Sequence, residues 1–183
     1  MPTYRSLLLS LALLGLTACS NPESQTESPE PKMSEVIQTF KQVEQKVKDR
    51  SINQKNYSVL IVNVDIATTQ IPTDTPPRVV NLLNGSVEAY KLALRYWQCE
   101  QESPGTHQAT CRDNELEKVM DKFPYIRRNI TQRLILRPNP PLHISSVIST
   151  RNMLQLLLMQ AELNRVDAHL ILTGGNFDEV YSS

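Results

Sequence analysis

The sequence predicts an all-α protein, an antiparallel four-helix bundle, and three observations carry that expectation. Apolar residues recur at intervals of three and four along most of the chain after residue 33. Prolines and glycines gather into clusters: Pro72, Pro76 and Pro77; Pro104 and Gly105; Pro138, Pro140 and Pro141; and finally Gly174 with Gly175. The connections these clusters leave are short, which makes neighbouring helices antiparallel. Three breaks and a stop divide residues 33–175 into four segments. Each is expected as a helix of roughly 25 to 35 residues, or ~40 to 50 Å at 1.5 Å rise. Residues 176–183 are left as a tail.

In the first segment Val36, Phe40, Val43 and Val47 form a stripe behind Ser34, a candidate N-cap. The polar residues 48–56 weaken the stripe, but Tyr57, Ile61, Val64 and Thr68 resume its spacing, and the whole is read as one helix. The second opens on Thr75, Pro76 and Pro77, a cap followed by prolines that a first turn tolerates. Its face is Val79, Leu83, Val87, Tyr90, Leu94 and Trp97, with Ala93 alongside.

The third segment begins with Asp113, Glu115 and Glu117, which suit a helix N-terminus. Its stripe is Leu116, Met120, Phe123, Ile126, Ile130 and Leu134, with a kink expected at Pro124. The fourth places Val147, Leu154, Leu158 and Ala161 on one face and stops at Gly174. The alternative is an α+β domain in which residues 59–66, 134–136 and 170–172 pair as short strands.

Ahead of this domain, residues 7–16 form an apolar run behind Arg5, the pattern of a secretory signal peptide. Ten helical residues rise only ~15 Å, half of a ~30 Å hydrocarbon core, so the run is too short to span a membrane. It ends in Leu16, Thr17, Ala18 and Cys19, which resembles the lipobox of bacterial lipoproteins. The resemblance implies cleavage after Ala18, removal of residues 1–18, and diacylglycerol on the Cys19 thiol. It also implies further acylation, for instance by palmitate, of the freed amine. Ser20 is not the aspartate that resembles an inner-membrane retention signal, so the implied address is the outer membrane, facing the periplasm. Residues 19–32, with three prolines and no aliphatic side chain after the cysteine, are expected as a tether reaching ~40 Å when extended.

The charges nearly cancel, 19 basic against 19 acidic residues, and losing Arg5 leaves the mature chain near −1. That balance gives no electrostatic reason to bind nucleic acid. With Cys19 lipidated, Cys99 and Cys111 remain as a pair in an oxidising compartment and are expected to form a disulfide across the second loop. A metal site recruiting His107 from that loop would have only three ligands at no zinc spacing. Among His107, His143 and His169 no HExxH or CxxCH motif occurs, and no GxSxG elbow is present. The expected protein is therefore non-enzymatic and without a cofactor.

Two readings of its role follow. Met33 and His169 fall near the same end of an antiparallel bundle, with Arg165 one turn before the histidine. This resembles the Met/His haem ligation of periplasmic bundle cytochromes, and implies a haem or ligand-binding bundle as the alternative reading. The leading reading comes from surplus apolar residues: 154–159 cover most of the fourth helix, and 59–66 do nearly the same for the first. A bundle helix needs one apolar face, so Leu156, Leu157, Met159, Leu60 and Val62 are candidates for a surface that binds another envelope protein or a second copy. Helical pilotin-like lipoproteins are similar in architecture. The third helix is also basic, through Lys118, Lys122, Arg127, Arg128, Arg133 and Arg137, as its dipole and snorkelling side chains allow, the alternative being a role at anionic headgroups or an acidic partner.

Overall fold

The computed structural model describes residues 30–48, 52–139 and 141–175; the expected signal peptide, Cys19 and residues 176–183 lie outside these. Every regular element among the described residues is helical: α1 (Glu30–Lys48), α2 (Gln54–Thr69), α3 (Pro77–Gln98), α4 (Thr106–Lys122), α5 (Pro124–Ile135) and α6 (Thr150–Thr173). Two 3-10 turns, Cys99–Gln101 and Ile144–Val147, complete the order. The runs that could have paired as strands lie in α2, at the end of α5 and in α6.

Instead of four helices of roughly equal length there are six among the described residues, because two expected helices are each divided. In the first, Asn53 takes extended backbone (φ −91°, ψ 165°) and its side chain accepts a hydrogen bond from the Asn56 N–H at 2.8 Å. Such a cap starts a helix, so α2 begins anew. Ile52 and Tyr57 occupy the two positions of a hydrophobic staple around it. In the third, Phe123 is extended (φ −123°, ψ 91°) and Pro124 opens α5 at its first position, where a missing N–H costs nothing. The expected kink is thus a full break.

Four further boundaries differ, one of them at the last helix, where Val147 falls in the 3-10 turn and α6 begins only at Thr150. α1 starts at Glu30, so it takes up the last residues of the expected tether, and Ser34 is inside the helix instead of capping it. α3 is preceded by Pro76, with Thr75 one residue too early to cap. α4 begins at Thr106, immediately after Gly105 at φ 101°, not near Asp113. At the other end α6 stops as expected, on a left-handed Gly174 (φ 76°) that a side chain would strain.

Polar ties fix the directions. Tyr57 bonds to Tyr90 and Gln54 to Gln101, which sets α2 antiparallel to α3. Ser86 bonds to the Ala161 carbonyl and Glu100 to Thr150, so α6 is antiparallel to α3. Glu44 pairs with Arg165 and Lys48 with Glu162, so α1 is antiparallel to α6. The α3–α6 packing is the most extensive, and α3 also meets α2 and α4. Consequently α3 is buried on two sides: Val79, Leu83, Val87 and Tyr90 on the expected face, and Ala89, Leu92 and Tyr96 on another.

Cys99 and Cys111 form a disulfide with Cα atoms 5.6 Å apart. Cys99 is fully buried at the end of α3, whereas Cys111 lies inside α4 and not in a loop. The bond therefore fastens the body of α4 to α3. Its cross-link closes a separation of 12 residues, so removing it with Cys99→Ser and Cys111→Ser is expected to cost ~3 kcal/mol. Urea unfolding of both forms, read by circular dichroism, measures this, and helix content should survive the change.

Candidate functional site

A cavity of about 1000 Å³ opens where the end of α1, the start of α2, the C-terminal half of α3 and the N-terminal half of α6 meet. This is the upper end of the ~300 to 1,000 Å³ range of small-molecule pockets. Its floor is polar. Arg165 of α6 grips Glu44 of α1 through two hydrogen bonds, Nε to Oε1 at 2.7 Å and Nη2 to Oε2 at 3.0 Å. Both side chains are only 8% exposed. The Tyr90 hydroxyl donates to Glu44 Oε1 at 3.5 Å, and the Tyr57 hydroxyl donates to the Tyr90 carbonyl at 3.3 Å. Burial, and for Tyr90 then the Glu44 charge, pushes both hydroxyls far above the ordinary tyrosine range, so they stay donors.

The walls are apolar: Val47, Ile52, Trp97, Leu154, Leu158 and Met159. Trp97, the chain's one tryptophan, sits with its ring centroid 6.2 Å from that of Tyr57. The rim carries two ion pairs, Lys48 with Glu162 at 2.9 Å and Arg112 with Glu100 at 3.6 Å, and exposed Arg151, which has no such pair among the described residues. Glu100 also accepts the Thr150 hydroxyl, while Arg112 Nε is buried without a partner. The disulfide holds this corner, because Glu100 follows Cys99 and Arg112 follows Cys111.

Leu154 and Leu158 were expected on the core face of the last helix. They are half-buried and line the cavity instead, and the core side of α6 is Met153, Leu157 and Ala161, one residue earlier in phase for the first two. The candidate partner residues divide accordingly. Leu157 is fully buried and belongs to the core; Leu60 and Leu156 are half-buried against it. Val62 is 56% exposed and Met159 42%. Met159 lines the cavity, whereas Val62 joins Val59 and Ile66 in an exposed apolar row on α2. Sequence reasoning missed the floor, although a glutamate and an arginine within apolar stripes, at 44 and 165, are the signal of a buried pair.

Met33 and His169 are not at this cavity. Arg165 pairs with Glu44, so His169, one turn on, is level with residue 40, and Met33 lies seven residues away along α1, ~10 Å at 1.5 Å per residue. His169 instead has its pKa held below the usual 6.5, by burial first, then by the positive charges of Lys41 and Arg165. His107 is exposed in the first turn of α4.

A second polar cluster ties the loop before α6 to α4. Asp113 Oδ2 is 2.7 Å from His143 Nδ1, and Oδ1 accepts the Ser145 N–H at 2.8 Å. Burial raises the Asp113 pKa, but the bonds from Ser145 and His143 outweigh it and hold the carboxyl below its usual value. The acid, base and hydroxyl of a hydrolase are all present, but the carboxylate holds His143 by its ring and Ser145 by its backbone N–H, and the buried Ser145 hydroxyl has no hydrogen-bond partner. Nearby, burial pushes the Tyr96 hydroxyl up to about 12.

No family model, curated protein or solved structure matches this chain.

Two outcomes follow from these geometries. Arg165→Met strands the Glu44 carboxylate in the interior and is expected to destabilise the protein by ~3 to 5 kcal/mol in urea unfolding, most of it recovered when Glu44→Leu is added. For His169 the unfolded chain binds a proton more readily than the folded one. Stability therefore falls as pH drops below about 6.5 toward the lowered pKa, and His169→Gln flattens that slope in melts between pH 7.5 and 5.5. Asp113 contributes outside this window, since its stabilisation is lost only at acid pH, as protonation of the carboxyl sets in.

Proposed function

We propose that this chain is a non-enzymatic lipoprotein of the bacterial cell envelope, anchored through Cys19, that holds an apolar segment of another envelope protein in the cavity beside Trp97. In this reading α1, α2, α3 and α6 are the four-helix unit that carries the site, α4 and α5 buttress it, and the tether gives it reach from the outer membrane into the periplasm. The observation that carries the reading is an open cavity with apolar walls, on whose rim Lys48 and Arg112 are already paired with Glu162 and Glu100 and Arg151 is the one lining cation with no such pair among the described residues. Such a site selects its occupant chiefly by apolar area. Val59, Val62 and Ile66 on α2 supply further uncovered apolar surface.

A photo-crosslinking side chain at Met159, exposed at the cavity mouth, tests the reading in intact envelopes. It should capture one discrete protein, and capture should be lost when Leu158→Arg places a charge in the wall. The same probe at exposed Glu117 on α4 supplies the background. Capture at Met159 no greater than at Glu117 sinks the proposal.

The cavity volume also favours a second reading, a small apolar ligand. Palmitate titrated against the purified protein would then blue-shift Trp97 emission at near-equimolar amounts. A haem held by Met33 and His169 would instead give a Soret band, abolished by His169→Ala, without moving Trp97 in the same way.

A further inference from the structure

From residue 122 to residue 161 the chain contains Lys122, Arg127, Arg128, Arg133, Arg137 and Arg151 and no aspartate or glutamate, although the protein as a whole is neutral. Local positive charge is therefore concentrated in α5 and the loop that follows it. Arg127 is consumed by Asp121 at 2.7 Å. Arg128, Arg133 and Arg137 have no carboxylate within ion-pairing distance among the described residues. Arg133 bonds to Asn129 and Arg137 to the Ser146 carbonyl, so neither is neutralised.

The last residue of α5 and the same loop carry the most exposed large apolar side chains described: Ile135 at 75%, Leu136 at 82% and Leu142 at 93%. No other reaches 60%. The Arg137 bond to Ser146 closes the loop on itself, and α5 packs on the 3-10 turn at Ile144, so these three side chains share one end of the molecule with Arg133 and Arg137. Apolar side chains that water surrounds, beside cations without partners, are the complement of one kind of surface: anionic headgroups over an acyl layer.

We infer that Ile135, Leu136 and Leu142 insert into an anionic phospholipid surface while Arg128, Arg133 and Arg137 engage its headgroups, a membrane contact separate from any lipid on Cys19. The surface does not overlap the cavity lining, and the inference does not depend on what the cavity holds. It makes the domain lie against a bilayer at the α5 end.

An environment-sensitive fluorophore on Leu142→Cys in the full chain tests this. The chain is reconstituted into vesicles of phosphatidylcholine alone or with phosphatidylglycerol, and intact mass reports separately whether Cys19 is lipidated. Emission at position 142 should shift to the blue only with phosphatidylglycerol, and high salt or Arg133→Glu with Arg137→Glu should reduce the shifted fraction about tenfold. A label at Asn63→Cys on α2 should not respond. The inference is overturned by equal emission in both vesicle types. It is overturned too by a shift indifferent to charge reversal, or by one that needs only concentrated protein without vesicles, which marks contact between copies. All substituted positions are exposed, so circular dichroism should be unchanged; if it is not, Leu142→Ser alone must still abolish dependence on phosphatidylglycerol in a flotation assay of unlipidated chain.

Discussion

Arg165 and Glu44, 121 positions apart in sequence, lie out of water and satisfy one another through two parallel hydrogen bonds. Burying either charge alone costs several kcal/mol, so the pair tolerates no sliding of α6 against α1. Tyr90 extends the constraint to α3 by donating to the same carboxylate, and Tyr57 extends it to α2 through the Tyr90 carbonyl. Four helices are thus referenced to one carboxylate. Most of the cavity lining comes from those same four helices, with Glu44 in its floor and Glu100 and Arg112 added at the disulfide corner, so the ion pair holds most of its walls in place. Ser86, bonded to the Ala161 carbonyl at 2.8 Å, repeats the constraint deeper in the α3–α6 contact.

Much of the helical framework could be read from spacing and punctuation, because those signals are local. The stripes of α3, α4 and α5, the stop at Gly174 and the pairing of Cys99 with Cys111 are of this kind. The divisions at Asn53 and Phe123 were harder, since the apolar period runs through both and only the cap and the proline's own backbone demands interrupt it. Ile52 and Tyr57 around Asn53 are a readable staple in hindsight.

The cavity was not legible for a different physical reason. Met153 and Leu154, or Leu157 and Leu158, are adjacent apolar residues about 100° apart on a helix, and period alone does not say which of two touching faces meets the core. The set that meets it was fixed by α3, whose two buried sides depend on contacts with α2, α4 and α6 that are remote in sequence. For the same reason surplus apolar residues divided into core, cavity wall and exposed row, and no single surface collected them.

Glu100, at the end of the α3 run, accepts the hydroxyl of Thr150, the first residue of α6. The chain thus leaves at residue 101 and returns at residue 150 to almost the same point, having built α4 and α5 in between. Such an excursion is topologically a closed loop on the framework, stapled near its base by one disulfide. Leu116, Val119, Ile126 and Ile130 pack into the core and tie the excursion to the framework, but its outer face and the loop after α5 can change without altering the registers of α1, α2, α3 and α6. The segment rich in uncompensated arginine is therefore free to vary to suit whatever it faces, independently of the four helices that shape the cavity.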